Sequence, residues 1–125
     1  MFTLKQIEEV HNKGKGLSEF ARNLKVLGVK YYVTYISDGH SDYFGKDKYL
    51  VTSMAVHETF EVSIQSNKEK FLKSLTRHEE DKTDYITFSK ELANAGIETW
   101  VVNMQEMTIS FYNKIGEKVL IEAIS

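Results

Sequence analysis

The sequence predicts an α+β fold of two ααβββ halves related by a pseudo-two-fold repeat, with antiparallel sheets covered by helices. Three observations predict it. Capped amphipathic stretches come in pairs. Each pair is followed by three β-branched and aromatic runs. Sliding the 125-residue chain by 68 positions lays the first set of elements on the second.

In chain order, Thr3 to Gln6 has the spacing of a capping box, with Leu4, Ile7, Val10 and His11 following at helical intervals, so a first helix is expected over about 4–13. Gly14 and Gly16 break it. Ser18 is placed to cap a second helix whose apolar face is Phe20, Ala21, Leu24 and Leu27, with Gly28 at its C′ position. VKYYVTYIS, Val29 to Ser37, has strand composition, and Asp38-Gly39 signals a hairpin turn. A second strand is expected over Asp42 to Gly45, a turn at Lys46-Asp47, and a third strand over Lys48 to Ser53. Residues 55–65 read equally as a strand or a short helix.

The pattern then restarts. SNKE, Ser66 to Glu69, has capping-box spacing, and Phe71, Leu72 and Leu75 form the apolar stripe of a helix ending near Glu80. Asp84 caps the next helix, which turns Phe88, Leu92 and Ala93 inward and ends at Gly96. IETWVVNM, MTISFYN and EKVLIEAI are three more strands. The 68-residue offset sets Phe20 on Phe88, Leu24 on Leu92, Gly28 on Gly96, Tyr32 on Trp100, Val33 on Val101 and Tyr43-Phe44 on Phe111-Tyr112. Amphipathic elements match at apolar positions by chance, but the shared helix-ending glycine and the paired aromatics favour duplication. A groove between two such halves is a favoured place for a small ligand.

Composition narrows the function classes. A chain of this length, 42% hydrophobic and 27% charged, is expected to be one globular domain over 1–125, with halves at about 1–56 and 66–125. Sixteen Lys plus Arg against 18 Asp plus Glu leave a net charge of −2, which disfavours nucleic-acid binding despite the scattered Lys13, Lys15, Lys46 and Lys48. The absence of cysteine removes disulfides, cysteine-based zinc sites and a thiol nucleophile. No stretch has the pattern of a signal peptide or a membrane span, so a cytoplasmic location and no membrane partner are expected.

The chemistry-bearing residues concentrate in ISDGHSDYFG, Ile36 to Gly45. Its second-half counterpart is Glu106-Met107-Thr108-Ile109-Ser110 in place of Asp38-Gly39-His40-Ser41-Asp42, so the histidine is particular to the first half. The plain reading is a hairpin whose His40 and Asp42 face solvent. A sharper one has Asp38, His40 and Asp42 projecting together as metal ligands, or Asp38 orienting His40 as a general base. His78 reads as a solvated helix C-terminal cation. His57-Glu58 lacks the second histidine of a zinc-protease helix, because Glu61 stands there. Period-two alternation puts Tyr32, Ile36, Trp100 and Met104 on the core face of the sheet, and Tyr31 and Tyr35 on the other face beside Tyr43 or Phe44.

The stretches LGVKYYVTYISDGHSDYFGKDKYLVTS, KTDYITFSKELANAGIETWVVNM and MTISFYNKIGEKVLIEAI resemble the YdfO/YbcV-like family of small bacterial and prophage-encoded proteins of unknown function, some of which carry the label phage envelope protein. The likeness spans nearly the whole chain, and SDGHSDYFG is its most specific part. It implies a compact α+β domain and no catalytic assignment. The chain departs from the family pattern at Met54, where a proline often stands, and at Ser89 and Ile109, where cysteines often stand; the loss of both thiols argues against cysteine chemistry, and the envelope label finds no signal or lipidation motif in this chain.

The expectation is therefore a soluble, non-catalytic domain of bacterial or prophage origin that binds a small ligand or a protein, monomeric or weakly self-associating, with no cofactor. Asp38, His40, Tyr31, Tyr35 and Tyr43 are its candidate contact residues. A small hydrolase or metal-dependent enzyme centred on Asp38 and His40 is the alternative.

Overall fold

The computed structural model describes residues 1–13, 16–80 and 82–124. The elements run α1 (Leu4–Lys13), α2 (Gly16–Leu27), β1 (Tyr31–Tyr35), β2 (Ser41–Phe44), β3 (Leu50–Thr52), α3 (Lys68–Glu79), α4 (Tyr85–Asn94), β4 (Ile97–Asn103), β5 (Thr108–Asn113) and β6 (Lys118–Ala123). The expected α+β class and element order are both present. The expected plural sheets are instead one antiparallel sheet, ordered β3-β2-β1-β4-β5-β6, because β1 and β4 pair along their full facing length.

Local chemistry accounts for most helix ends. Thr3 and Gln6 form the reciprocal capping box: the Thr3 amide donates to Gln6 Oε1 at 2.9 Å and the Gln6 amide to Thr3 Oγ1 at 3.2 Å. Asp84 Oδ1 accepts from the Thr87 amide at 2.7 Å. After α2, Gly28 takes φ +103° while its amide and that of Val29 bond back to Lys25 and Leu24, a Schellman closure.

Two expected caps are displaced. Ser18 lies inside α2, where its Oγ accepts from Arg22, and the break expected at Gly14 lies outside the described residues. Asn67, not Ser66, caps α3, its Oδ1 accepting from the Lys70 amide at 3.0 Å. The helix buries Phe71, Ser74 and Leu75 and leaves Leu72, expected in the apolar stripe, at the surface. Asn67→Ala is expected to cost about 1 kcal/mol and Ser66→Ala less than about 0.5 kcal/mol, read from urea denaturation midpoints.

The Asp38-Gly39 turn is a longer loop than a two-residue hairpin. Ile36 to His40 bridge the strands, closed by Tyr35 N–H to His40 C=O at 2.9 Å and Gly39 N–H to Tyr35 C=O at 2.8 Å, with Gly39 at φ +81°. The ambiguous segment 55–65 is neither strand nor helix. Tertiary hydrogen bonds hold it instead: Val56 and His57 to the Asp38 carbonyl, Phe60 to Ser37, and Ser63 to Ala93.

All four helices pack on one sheet face. Ile7, Ala21, Leu24, Tyr32, Tyr43, Val102 and Met104 form one core cluster, and Phe71, Phe88, Leu92, Ile97 and Phe111 belong to a second, with Trp100 and Ile109 packed against both. The opposite face carries Tyr31, Val33, Tyr35, Phe44, Val101 and Tyr112, all partly exposed. Strand register follows the 68-residue offset. The pairs Tyr31↔Phe44, Tyr32↔Tyr43, Val33↔Asp42 and Thr34↔Ser41 have counterparts in Thr99↔Tyr112, Trp100↔Phe111, Val101↔Ser110 and Val102↔Ile109. Val33 lies opposite Val101 at the centre of the β1–β4 ladder. Left-handed positions also correspond, Gly28 with Gly96, Gly39 with Met107 and Lys48 with Gly116. A bulge at Phe111/Tyr112 breaks the correspondence between β5 and β6.

Candidate functional site

The five candidate residues do not converge. Tyr43 points to the helix side and is buried, with its ring 5.2 Å from that of Tyr32. Tyr31 is on the other face, stacked on Phe44 at 4.6 Å, which settles the Tyr43-or-Phe44 alternative for Phe44. Asp38, His40 and Tyr35 meet at the tip of the β1–β2 hairpin.

At that tip Asp38 Oδ1 accepts from the His40 amide at 3.0 Å and lies 2.6 Å from His40 Nδ1, while the imidazole stacks on Tyr35 at 4.4 Å. Burial alone would raise the Asp38 carboxyl; the hydrogen bonds from the His40 amide and ring, with the nearby His40 and His57 imidazoles, outweigh it and hold the group below its ordinary value. Asp42 points elsewhere, to Thr52 Oγ1 at 2.7 Å, so the three-ligand arrangement does not form. Among the described residues no three His, Asp or Glu side chains gather in metal-binding geometry, and none of the hydroxyls hydrogen-bonds His40 Nε2. Because the Asp38 carboxyl is depressed, its stabilisation is complete above the ordinary aspartate range and is lost as pH falls through the folded value. Asp38→Asn should flatten that acid limb of the denaturation midpoint against pH.

A concave feature lies between the two helical hairpins and reaches Gly39 and Val56, beside the backbone of this tip, at one end. A groove of about 890 Å³ runs over the centre of the sheet, walled by Ile7, Glu8 and His11 of α1, Leu17 and Phe20 of α2, and His78 and Tyr85 across from them. Its floor is Tyr32, Thr34, Ser41, Tyr43 and Trp100. A narrower extension of about 320 Å³ continues past His78, Tyr85 and Trp100 to Glu79 and Glu122. His78, expected as a solvated cap, lies flat on Phe88 at 4.0 Å and faces this groove, because the α3–α4 hairpin turns that side of the helix inward.

Polar groups in the floor are ordered. Thr34 Oγ1 and Ser41 Oγ are buried 2.7 Å apart, and the Ser41 amide donates to Ser53 Oγ at 2.8 Å. Burial, then the neighbouring Tyr43 and Tyr85 phenols, push the Tyr32 hydroxyl well above the usual tyrosine range. Burial likewise raises Tyr43 and Tyr85. All three stay neutral hydroxyls at physiological pH, able to donate and accept.

Thr34, Ser41, Tyr85, His11 and Phe20 were not among the candidate contact residues read from the sequence, although they line the groove. A signal was present: in the second half the core positions matching Thr34 and Ser41 are Val102 and Ile109, so a hydroxyl pair replaces an aliphatic pair at one register position.

Fold and groove together define an α+β protein in which two helical hairpins sit on one antiparallel sheet and enclose an aromatic, hydroxyl-lined cleft. Residues 5–123 match the family described as protein of unknown function (DUF1398). The chain belongs to that family. No curated protein matches it. None of the described helices is long and apolar enough to cross a membrane.

Proposed function

We propose that this chain is a non-catalytic binding protein that holds a small organic ligand in the groove between its hairpins. The observation that carries the reading is the groove itself: about 890 Å³ is in the range that encloses a small molecule, and its apolar walls converge on a few placed hydroxyls. We read the groove as the junction of two duplicated halves within one domain, a reading supported by the shared register and the matching left-handed positions. YdfO/YbcV-like membership, a bacterial or prophage origin and a cytoplasmic location belong to the same proposal.

Native mass spectrometry on untagged protein purified gently from its own cells tests it. The expected result is a retained small mass that is lost when Tyr43 and Thr34 are replaced by Phe and Val. A bare chain, together with unchanged Trp100 emission on adding the low-molecular-weight extract of those cells, would overturn it. Trp100 is the chain's single tryptophan and forms part of the groove floor, so its fluorescence reports on occupancy directly.

A second reading keeps the Asp38–His40 pair as an enzyme's base and its orienting carboxylate. One observation favours it: the 2.6 Å contact sets Nδ1 against the Asp38 carboxylate, the orientation in which a neutral ring presents Nε2 as acceptor. It requires that His40→Ala abolish an activity at temperatures where the variant is still folded. The face bearing Tyr31 and Tyr35 is kept as a protein-contact surface; Tyr31→Ala or Tyr35→Ala would then lose a partner while retaining stability.

A further inference from the structure

The chemistry of the groove lining also selects the charge of its occupant. Carboxylates stand along it, Glu8 in the wide part and Glu79 with Glu122 in the narrow extension, and among the described residues no lysine or arginine lines either part. Between them lie two sets of ring contacts, Phe20 against Tyr32 at 5.8 Å with Tyr32 against Tyr43 at 5.2 Å, and Tyr85 edge-on to Trp100 at 6.2 Å.

Resting on the ligand-binding reading above, we propose that the groove takes an organic cation, an amine or quaternary ammonium carried on an apolar or planar body. Aromatic faces present negative potential to a cation, tryptophan and tyrosine most strongly. Neutral tyrosine, threonine and serine hydroxyls supply acceptor oxygens for an ammonium's N–H groups. An anion entering the same space would be stripped of water with no fixed positive partner among the described lining, which is costly. The other titratable groups facing the groove are the His11 and His78 imidazoles, set against Phe20 and Phe88. Burial, then repulsion from Glu79, raises the Glu122 carboxyl, so a cation in the extension also relieves that pair.

The test is a matched series on the full chain: phenethylamine, phenethyl alcohol and phenylacetate share one aromatic body and differ in charge. Each is titrated while Trp100 emission is followed. Phenethylamine is expected to bind about tenfold tighter than the alcohol, and phenylacetate more weakly than either. In a Glu79→Gln/Glu122→Gln variant the amine's advantage should shrink while the alcohol's affinity holds. Equal binding of all three, or preference for phenylacetate, overturns the cation proposal and leaves the groove as a ligand site. Failure of all three to bind up to millimolar concentration also overturns it, and the native mass spectrum then decides separately whether the binding reading survives.

Discussion

Gly96→Ala is expected to cost about 3 kcal/mol or more, against about 1–2 kcal/mol for Gly28→Ala. Both glycines end a helix with positive φ, +84° and +103°, where an L side chain is strained. Their surroundings differ. A Cβ on Gly96 would sit 2.6 Å from the Gln65 carbonyl oxygen and 2.6 Å from Ser66 Cα, both backbone atoms that cannot rotate away. A Cβ on Gly28 would meet only the Phe2 ring, at 4.0 Å. The Gly96 neighbourhood also anchors the segment leading into α3, since the Asn67 amide bonds to the Ala95 carbonyl at 2.8 Å. Moving residues 65–66 aside therefore disturbs that bond and the Asn67 cap together. Urea denaturation of the two variants measures the gap; equal losses would mean that the segment yields freely.

Phe111→Ala should destabilise the protein by about 3–5 kcal/mol and reshape the groove as well. Phe111 is 2% exposed, packs its ring 4.9 Å from Phe71 and 6.2 Å from Trp100, and lines the narrow extension. The sheet holds it from both sides, Trp100 on β4 and Leu120 on β6, so the backbone cannot collapse into the space. A cavity open to the groove results, and Trp100 emission is expected to shift to the red as water reaches the ring. A small stability loss with unshifted emission would mean that α3 closes over the gap.

The aromatic pattern separates what the strands encode from what their pairing decides. Tyr32 and Trp100 on the core side, with Tyr31 and Tyr35 opposite, were legible because the side-chain period of a strand is two whatever the strand pairs with. The hydroxyl pair Thr34 and Ser41 was not, because a threonine and a serine in strands carry no local mark of burial. Their burial depends on which face the helices cover, and their contact on the β1–β2 register. The Asp38–His40 contact was readable from short-range chemistry; the companion site with Asp42 failed because Asp42 turns to Thr52, ten residues further along.

By itself the sequence determined the elements: the Thr3–Gln6 box, the Asp84 cap, the two left-handed glycines and the alternation of the strands, all set by atoms within a few residues of one another. Tertiary structure alone decided that β1 and β4 join into one sheet, that residues 53–66 run as coil held by backbone bonds to distant carbonyls, and that His78 lies on Phe88 facing a groove. Those outcomes rest on long-range pairing. A segment's own residues specify the shape it takes, whereas the surface left open between two packed units belongs to neither.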